Sequence, residues 1–206
     1  MRRLVACLLV VTAGTAAPAT ALAAASTLPE PVPVPEPQDR ARLLAGKILV
    51  RHFEHEDGLK GSSVRFWAKA PVDQAYSALA DPAQLAEYMP NLHMVRVLGR
   101  QPDGIIVKMV SQIPFAPELT IKRWGNPETR TIRWVDVRTP FRRMEGRWHL
   151  SPLGEGTQLE YTLGIDATGN PVPSWIISGL QQQGTRQLAD HVRRRVESGG
   201  TWKKSG

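Results

Sequence analysis

Between residues 173 and 197 the apolar positions recur at helical spacing. At about 100° per residue, Ile176, Ile177, Leu180, Gly184, Leu188 and Val192 fall on one broad stripe. Gln182, Arg186, Asp190, Arg193 and Glu197 fall opposite, and Asp190 with Arg194 one turn on reads as an ion pair. Pro171, Pro173 and Ser174 mark the start of this helix, and Gly199-Gly200 its stop. A helix of about 25 residues rising ~1.5 Å each is roughly 37 Å long. It requires one large apolar surface to lie against.

The pattern upstream supplies that surface as a sheet. Residues 47–53 and 59–70 read as strands joined by the Asp57-Gly58 turn, with Val64, Phe66 and Ala68 of the second on one face. Pro71 opens a short helix. Asp81 caps another, with Pro82 in its first turn and Pro90 stopping it. Six strand candidates follow with no helix between them: 93–100, 104–113, 118–124, 129–137, 141–150 and 157–166. Turn residues separate them at hairpin spacing, which predicts an antiparallel meander. In 141–150, Met144, Gly146, Trp148 and Leu150 alternate with Arg143, Glu145, Arg147 and His149. In 157–166, Leu159, Tyr161, Leu163 and Ile165 alternate with Gln158, Glu160 and Thr162. A one-sided sheet and a one-sided helix predict an α+β domain in which each covers the other.

Both ends read differently. Arg2 and Arg3, the apolar run from Leu4 to Val11 and the small residues up to Ala25 have the order of a secretory signal peptide, with cleavage expected near Ala23 or Ala25. The run is too short to span a bilayer core of ~30 Å, which needs roughly 20 apolar residues. Cys7, the only cysteine, would leave with it. The expected divisions are a signal peptide at 1–25, a proline-rich linker at 26–45, the folded domain at 46–199 and a flexible basic tail at 200–206. The linker, LPEPVPVPEPQ at its centre, reads as an extended spacer. With 26 basic and 19 acidic residues the formal charge is +7, which favours anionic surfaces. For an exported protein the nearer such partner is a membrane surface. No nucleic-acid partner is expected.

The order strand, two short helices, six antiparallel strands, long helix resembles the START-like, or helix-grip, superfamily. FWAKAPVDQAYSALADPAQLAEYMPNL is similar to the family's opening strand and helix pair. GRWHLSPLGEGTQLEY is similar to its last hairpin, and NPVPSWII to the start of its last helix. Together they resemble the polyketide cyclase/dehydrase and lipid-transport branch, which includes coenzyme Q-binding START-like proteins. The resemblance implies a helix-grip fold: a curved antiparallel sheet of about seven strands, plus an extra N-terminal strand, wrapped around the long helix with an apolar cavity between. The side chains it would place on that cavity are Met109, Trp134, Met144, Trp148, Tyr161, Leu180 and His191, with Gly146 and Gly184 leaving room. Tyr88, Met89, Trp175 and Gly184 would form a gate where the first half of the long helix meets the second short helix.

Other chemistry is sparse. His52, Glu54 and His55 precede Asp57-Gly58 and read as a solvated hairpin tip, so no metal site and no cofactor are expected. Gly154-Glu155-Gly156 joins two strands and cannot cradle phosphates at a helix N-terminus. No G-x-S-x-G nucleophile elbow is present. These readings predict an exported, monomeric, non-catalytic binding or transport protein for a lipid, quinone or polyketide-like molecule. The alternatives are a polyketide cyclase or dehydratase using Arg142, Glu145, Tyr161 and His191, and a module that touches a membrane or protein through its basic C-terminal end.

Overall fold

A computed structural model describes residues 27–112, 118–168 and 174–205, excepting the side chains of 174–183. The signal-peptide reading therefore lies outside the described residues. The elements are α1 (Pro37–Leu44), β1 (Leu49–Glu54), β2 (Lys60–Ala68), α2 (Val72–Ala80), a 3-10 turn (Pro82–Gln84), α3 (Leu85–Tyr88), β3 (Leu92–Gln101), β4 (Gly104–Ser111), β5 (Glu118–Asn126), β6 (Thr131–Arg138), β7 (Arg143–Leu153), β8 (Gly156–Asp166) and α4 (Ser174–Glu197). Asp81 caps the 3-10 turn by accepting from the Ala83 N–H.

The eight strands form one antiparallel sheet in the order β1-β2-β8-β7-β6-β5-β4-β3. Each meander strand pairs with its sequence neighbour, and β2 pairs with β8, so the long hairpin-linked run returns to the first strands. The additional strand β1 extends the edge beside β2. The concave face carries Val64, Phe66, Val107, Ile121, Ile132 and Leu159, all buried. Leu188, Ala189, Val192 and Val196 of α4 close over them together with α2. The helical stripe and the strand alternation thus meet in one core, which is the helix-grip arrangement.

The convex face departs from the sequence reading. Residues 27–34 are not a free spacer but a strap across β7 and β8. The Thr27 hydroxyl donates to Glu145, the Val32 N–H donates to Glu160 (2.9 Å), the Gln158 amide donates to the Val32 carbonyl, and Arg147 donates to the Pro29 carbonyl. Pro29, Pro31 and Pro33 remove alternate N–H groups, so this segment cannot make the ladder needed to join a sheet edge. It can lie across a face when side chains satisfy its remaining polar groups. Leu28 is buried against Leu59 and Gly164. Downstream, Leu43 of α1 packs with Leu49, Leu153 and Trp67 in a second small core. Charged residues that alternation assigns to solvent are covered as a result: Arg147 is 1% exposed and Glu145 7%.

The tail at 200–206 also differs from the reading. Residues 201–204 are hydrogen-bonded to α3 and to the turn after it, and to the end of α4. The ion pair expected between Asp190 and Arg194 forms instead between Asp190 and Arg193 (3.3 Å), while Arg194 lies over the Trp202 ring.

Candidate functional site

Strand periodicity builds the site. Side chains two residues apart share a face, so Met109 of β4, Trp134 of β6, Met144 and Trp148 of β7 and Tyr161 of β8 all project inward. They line a cavity of about 260 Å³ between the sheet and α4. The Trp134 and Tyr161 rings stack with centroids 5.5 Å apart, and the Tyr161 ring lies tilted against Trp148 at 4.7 Å. Gly146 faces Trp134 across the β6–β7 pair. A Cβ there would sit 2.1 Å from the indole, so the space expected to be open at Gly146 is filled by Trp134. Gly184 does face the cavity, with nothing within 4 Å of an added Cβ. Met89, Pro90, Asn91 and Leu92 also line the cavity, as do Thr185 and Leu188 of α4.

The other expected residues lie elsewhere. His191 is turned away from the cavity: its Nδ1 is 3.0 Å from the Tyr88 carbonyl and its ring packs on Trp202. Membership of the apolar stripe placed it on the buried side of α4, but the neighbour at that height is α3 and the tail. Tyr88 is fully buried behind the wall rather than in it, with Arg195 over its ring at 5.4 Å. Burial pushes its hydroxyl up to about 12, and the hydroxyl has no hydrogen-bond partner among the described residues. The side chains of Leu180 and Trp175 lie outside the described residues.

Of the four residues considered for catalysis, only Tyr161 reaches the cavity. Burial raises its pKa, so at neutral pH its hydroxyl is a hydrogen-bond donor and not a base. Arg142 pairs with Asp166 (3.3 Å) at the surface, and Glu145 is on the opposite face of the sheet beneath the strap. At the β1–β2 hairpin, Glu54 pairs with Lys60 and His55 packs edge-on against Phe53. Among the described residues no three His, Cys, Asp or Glu side chains converge.

Arg123 was missed. It is the charged side chain of the cavity wall and is 3% exposed. Its guanidinium donates to the carbonyls of Leu79 and Ala80, at the last turn of α2, where the helix dipole is negative. Burial holds its pKa below the ordinary arginine value. No carboxylate forms an ion pair with it among the described residues. A guanidinium has five N–H donors; the backbone carbonyls fix the group in place, and Asp81 acts on its charge without forming a salt bridge. The available signal was alternation: Leu119, Ile121 and Arg123 share the inward face of β5.

A family model described as polyketide cyclase / dehydrase and lipid transport matches residues 68–193, more than half of the chain. The chain belongs to this family. Solved structures with the same fold include the Zhui aromatase/cyclase from Streptomyces sp. R1128, 20% identical with a TM-score of 0.58 over 72% of this chain and 94% of that one. A START superfamily protein from Mycobacterium smegmatis is 21% identical with a TM-score of 0.57, over 66% and 96%. A protein from Thermus thermophilus is 20% identical with a TM-score of 0.59, over 68% and 98%. No curated protein matches the sequence. The family match spans the two short helices, the meander and most of α4. The strap, α1 and the tail lie outside it.

Proposed function

We propose that this polyketide cyclase/dehydrase and lipid-transport family member is an exported, non-catalytic carrier of an apolar small molecule with one anionic or hydrogen-bond-accepting group. The observation that carries the reading is the composition of the cavity: aromatic and aliphatic side chains on nearly every side, and one fixed guanidinium, Arg123, which Asp81 influences but which forms no salt bridge among the described residues. Apolar burial would supply most of the affinity, and Arg123 would orient the ligand. The lipid, quinone and polyketide-like classes all fit this description. Export rests on the residue order at 1–25.

The enzyme alternative draws on the family description and on the likeness to an aromatase/cyclase. Its support here is narrower, because Tyr161 and Arg123 are the titratable side chains among the described cavity lining, and neither is a base at neutral pH. The membrane-module alternative loses support where Arg193, Arg195, Lys203 and Lys204 are engaged internally.

The test is native mass spectrometry of protein purified from its own host. The carrier reading expects an apolar mass that co-purifies and is released by organic solvent, and that is lost in Arg123→Met. A chain that is consistently empty would contradict it. Fractionation of the host cells checks export separately.

A further inference from the structure

After Glu197 the chain passes through Gly199 and Gly200, both at positive φ (65° and 86°), and turns back toward α3. The polar contacts of residues 202–204 converge on α3 and the turn after it. Arg195 donates to the Trp202 carbonyl (2.9 Å), to Glu87 (3.0 Å) and to Gln84. The Lys203 ammonium donates to Glu87 (2.7 Å), and the Lys204 main-chain N–H donates to the Glu87 carbonyl (2.8 Å). The Lys204 ammonium donates to two carbonyls at once, Met89 (2.8 Å) and Leu92 (2.5 Å). Trp202 lies against His191, whose ring nitrogen meets the Tyr88 carbonyl.

The carbonyls of Met89 and Leu92 bracket Pro90-Asn91. Asn91 is in the left-handed region, φ 59°, where a residue with a Cβ is strained. The turn has few supports of its own: α3 is four residues long, and Pro90 has no N–H to give. Residues 89–92 form part of the cavity wall. The C-terminal half of α4 is anchored independently by Leu188, Ala189, Val192 and Val196. The tail, by contrast, is held by Trp202 at the margin of the core and by a few part-buried polar contacts, a small set that can open locally without unfolding the core.

We infer that residues 202–204 form a latch on the cavity: Lys204 positions the wall at 89–92, and ligand exchange proceeds through release of the tail. The part concerning exchange rests on the carrier reading; the positioning of the wall does not.

The test uses the full chain with Lys204→Met, which removes both bonds to the turn, and Lys204→Arg, which keeps charge and donors. Hydrogen exchange reads the wall without any ligand, and stopped-flow release of the dye 8-anilinonaphthalene-1-sulfonate reads the cavity. The latch predicts that Lys204→Met speeds exchange at the Met89, Asn91 and Leu92 amides, and at the Gln112 amide that bonds to the Asn91 carbonyl, by at least tenfold. Dye release should quicken severalfold, residues 188–196 should be unchanged, and Lys204→Arg should stay near the wild type. Unchanged exchange at 89–92 in Lys204→Met overturns the latch. A wild type that binds no dye overturns the carrier reading instead, while the exchange data still decide whether the tail holds the wall. The wild type gives a second check that needs no variant. The Lys204 amide and residues 89–92 should exchange as one unit, faster than α4; unlinked rates would also overturn the latch.

Discussion

The two faces of the sheet are built from the same alternation and reach opposite ends. The concave face is apolar and incompletely filled, with a cavity of about 260 Å³ and one fixed guanidinium in its wall. Over β7 and β8 the convex face is polar and covered, with Glu145, Arg147, Gln158 and Glu160 buried under a proline-rich strap; Arg147, Gln158 and Glu160 bond its backbone and Glu145 the Thr27 hydroxyl. A strand pattern says which side chains share a face. It does not say what covers that face. On the concave side the cover is α4, legible because a helix carries its own period. On the convex side the cover has no period at all.

The contrast can be broken first at Gly146. Gly146→Val would place a side chain where the Trp134 indole lies, 2.1 Å from an ideal Cβ. Overpacking of this kind costs about 3 kcal/mol or more when a large ring must move. The expected result in urea unfolding is a strongly destabilised protein, with dye binding in the cavity lost along with the Trp134–Tyr161 stack. Full dye binding would mean that the stack does not shape the cavity.

On the convex face the matching change is Arg147→Met. It removes a buried guanidinium that donates to the Pro29 carbonyl and whose neighbours include Glu160 and Glu145. Leaving buried carboxylates less compensated costs about 2–4 kcal/mol. The denaturation midpoint should fall by that equivalent while cavity affinity stays at the wild-type level, because the strap and the cavity are on opposite faces. A parallel loss of ligand affinity would join the two faces into one unit.

Gly184→Ala should act in the reverse direction. Open space surrounds the new methyl, and helix propensity alone favours alanine by about 1 kcal/mol. Stability to thermal unfolding should rise by that amount, while ligand exchange, which proceeds through release of the tail, should stay near the wild-type rate. Destabilisation would show a close contact at that point of the helix.

The smallest effect is a slope. Burial and the neighbouring Arg147 hold the pKa of His149, on the convex face, below its ordinary 6.5. The unfolded chain therefore takes up this proton first. The stability His149 contributes is complete above 6.5 and is lost as the pH falls through its lower folded value. His149→Gln should flatten the acid side of the wild-type stability profile in that window. Identical slopes would remove His149 from the account.

The same physics decides how much of this was legible in the sequence. Met144, Trp148 and Tyr161 could be placed on one face because the alternation of their strands was visible, whereas Met109 and Trp134 were placed there by the family resemblance. Arg123 was passed over because charge is read as solvent-facing, although its register matches Leu119 and Ile121. His191 sits on the stripe of α4, but a stripe specifies a direction and not a neighbour, and the neighbour is the Tyr88 carbonyl. Residues 27–34 read as a spacer because prolines break every period. Lys203 and Lys204 read as free charges because their partners are more than a hundred positions away in the chain.

The central claim is that the concave face binds an apolar molecule oriented by Arg123. Titration with decanoate and with its methyl ester, followed through the fluorescence of Trp134 and Trp148 in a variant with the other tryptophans replaced by phenylalanine, tests it most directly. The account predicts that both quench the signal, that the carboxylate binds at least tenfold more tightly, and that this difference disappears in Arg123→Met while ester binding persists. Equal affinities in the wild type, or no quenching by either compound, would contradict it.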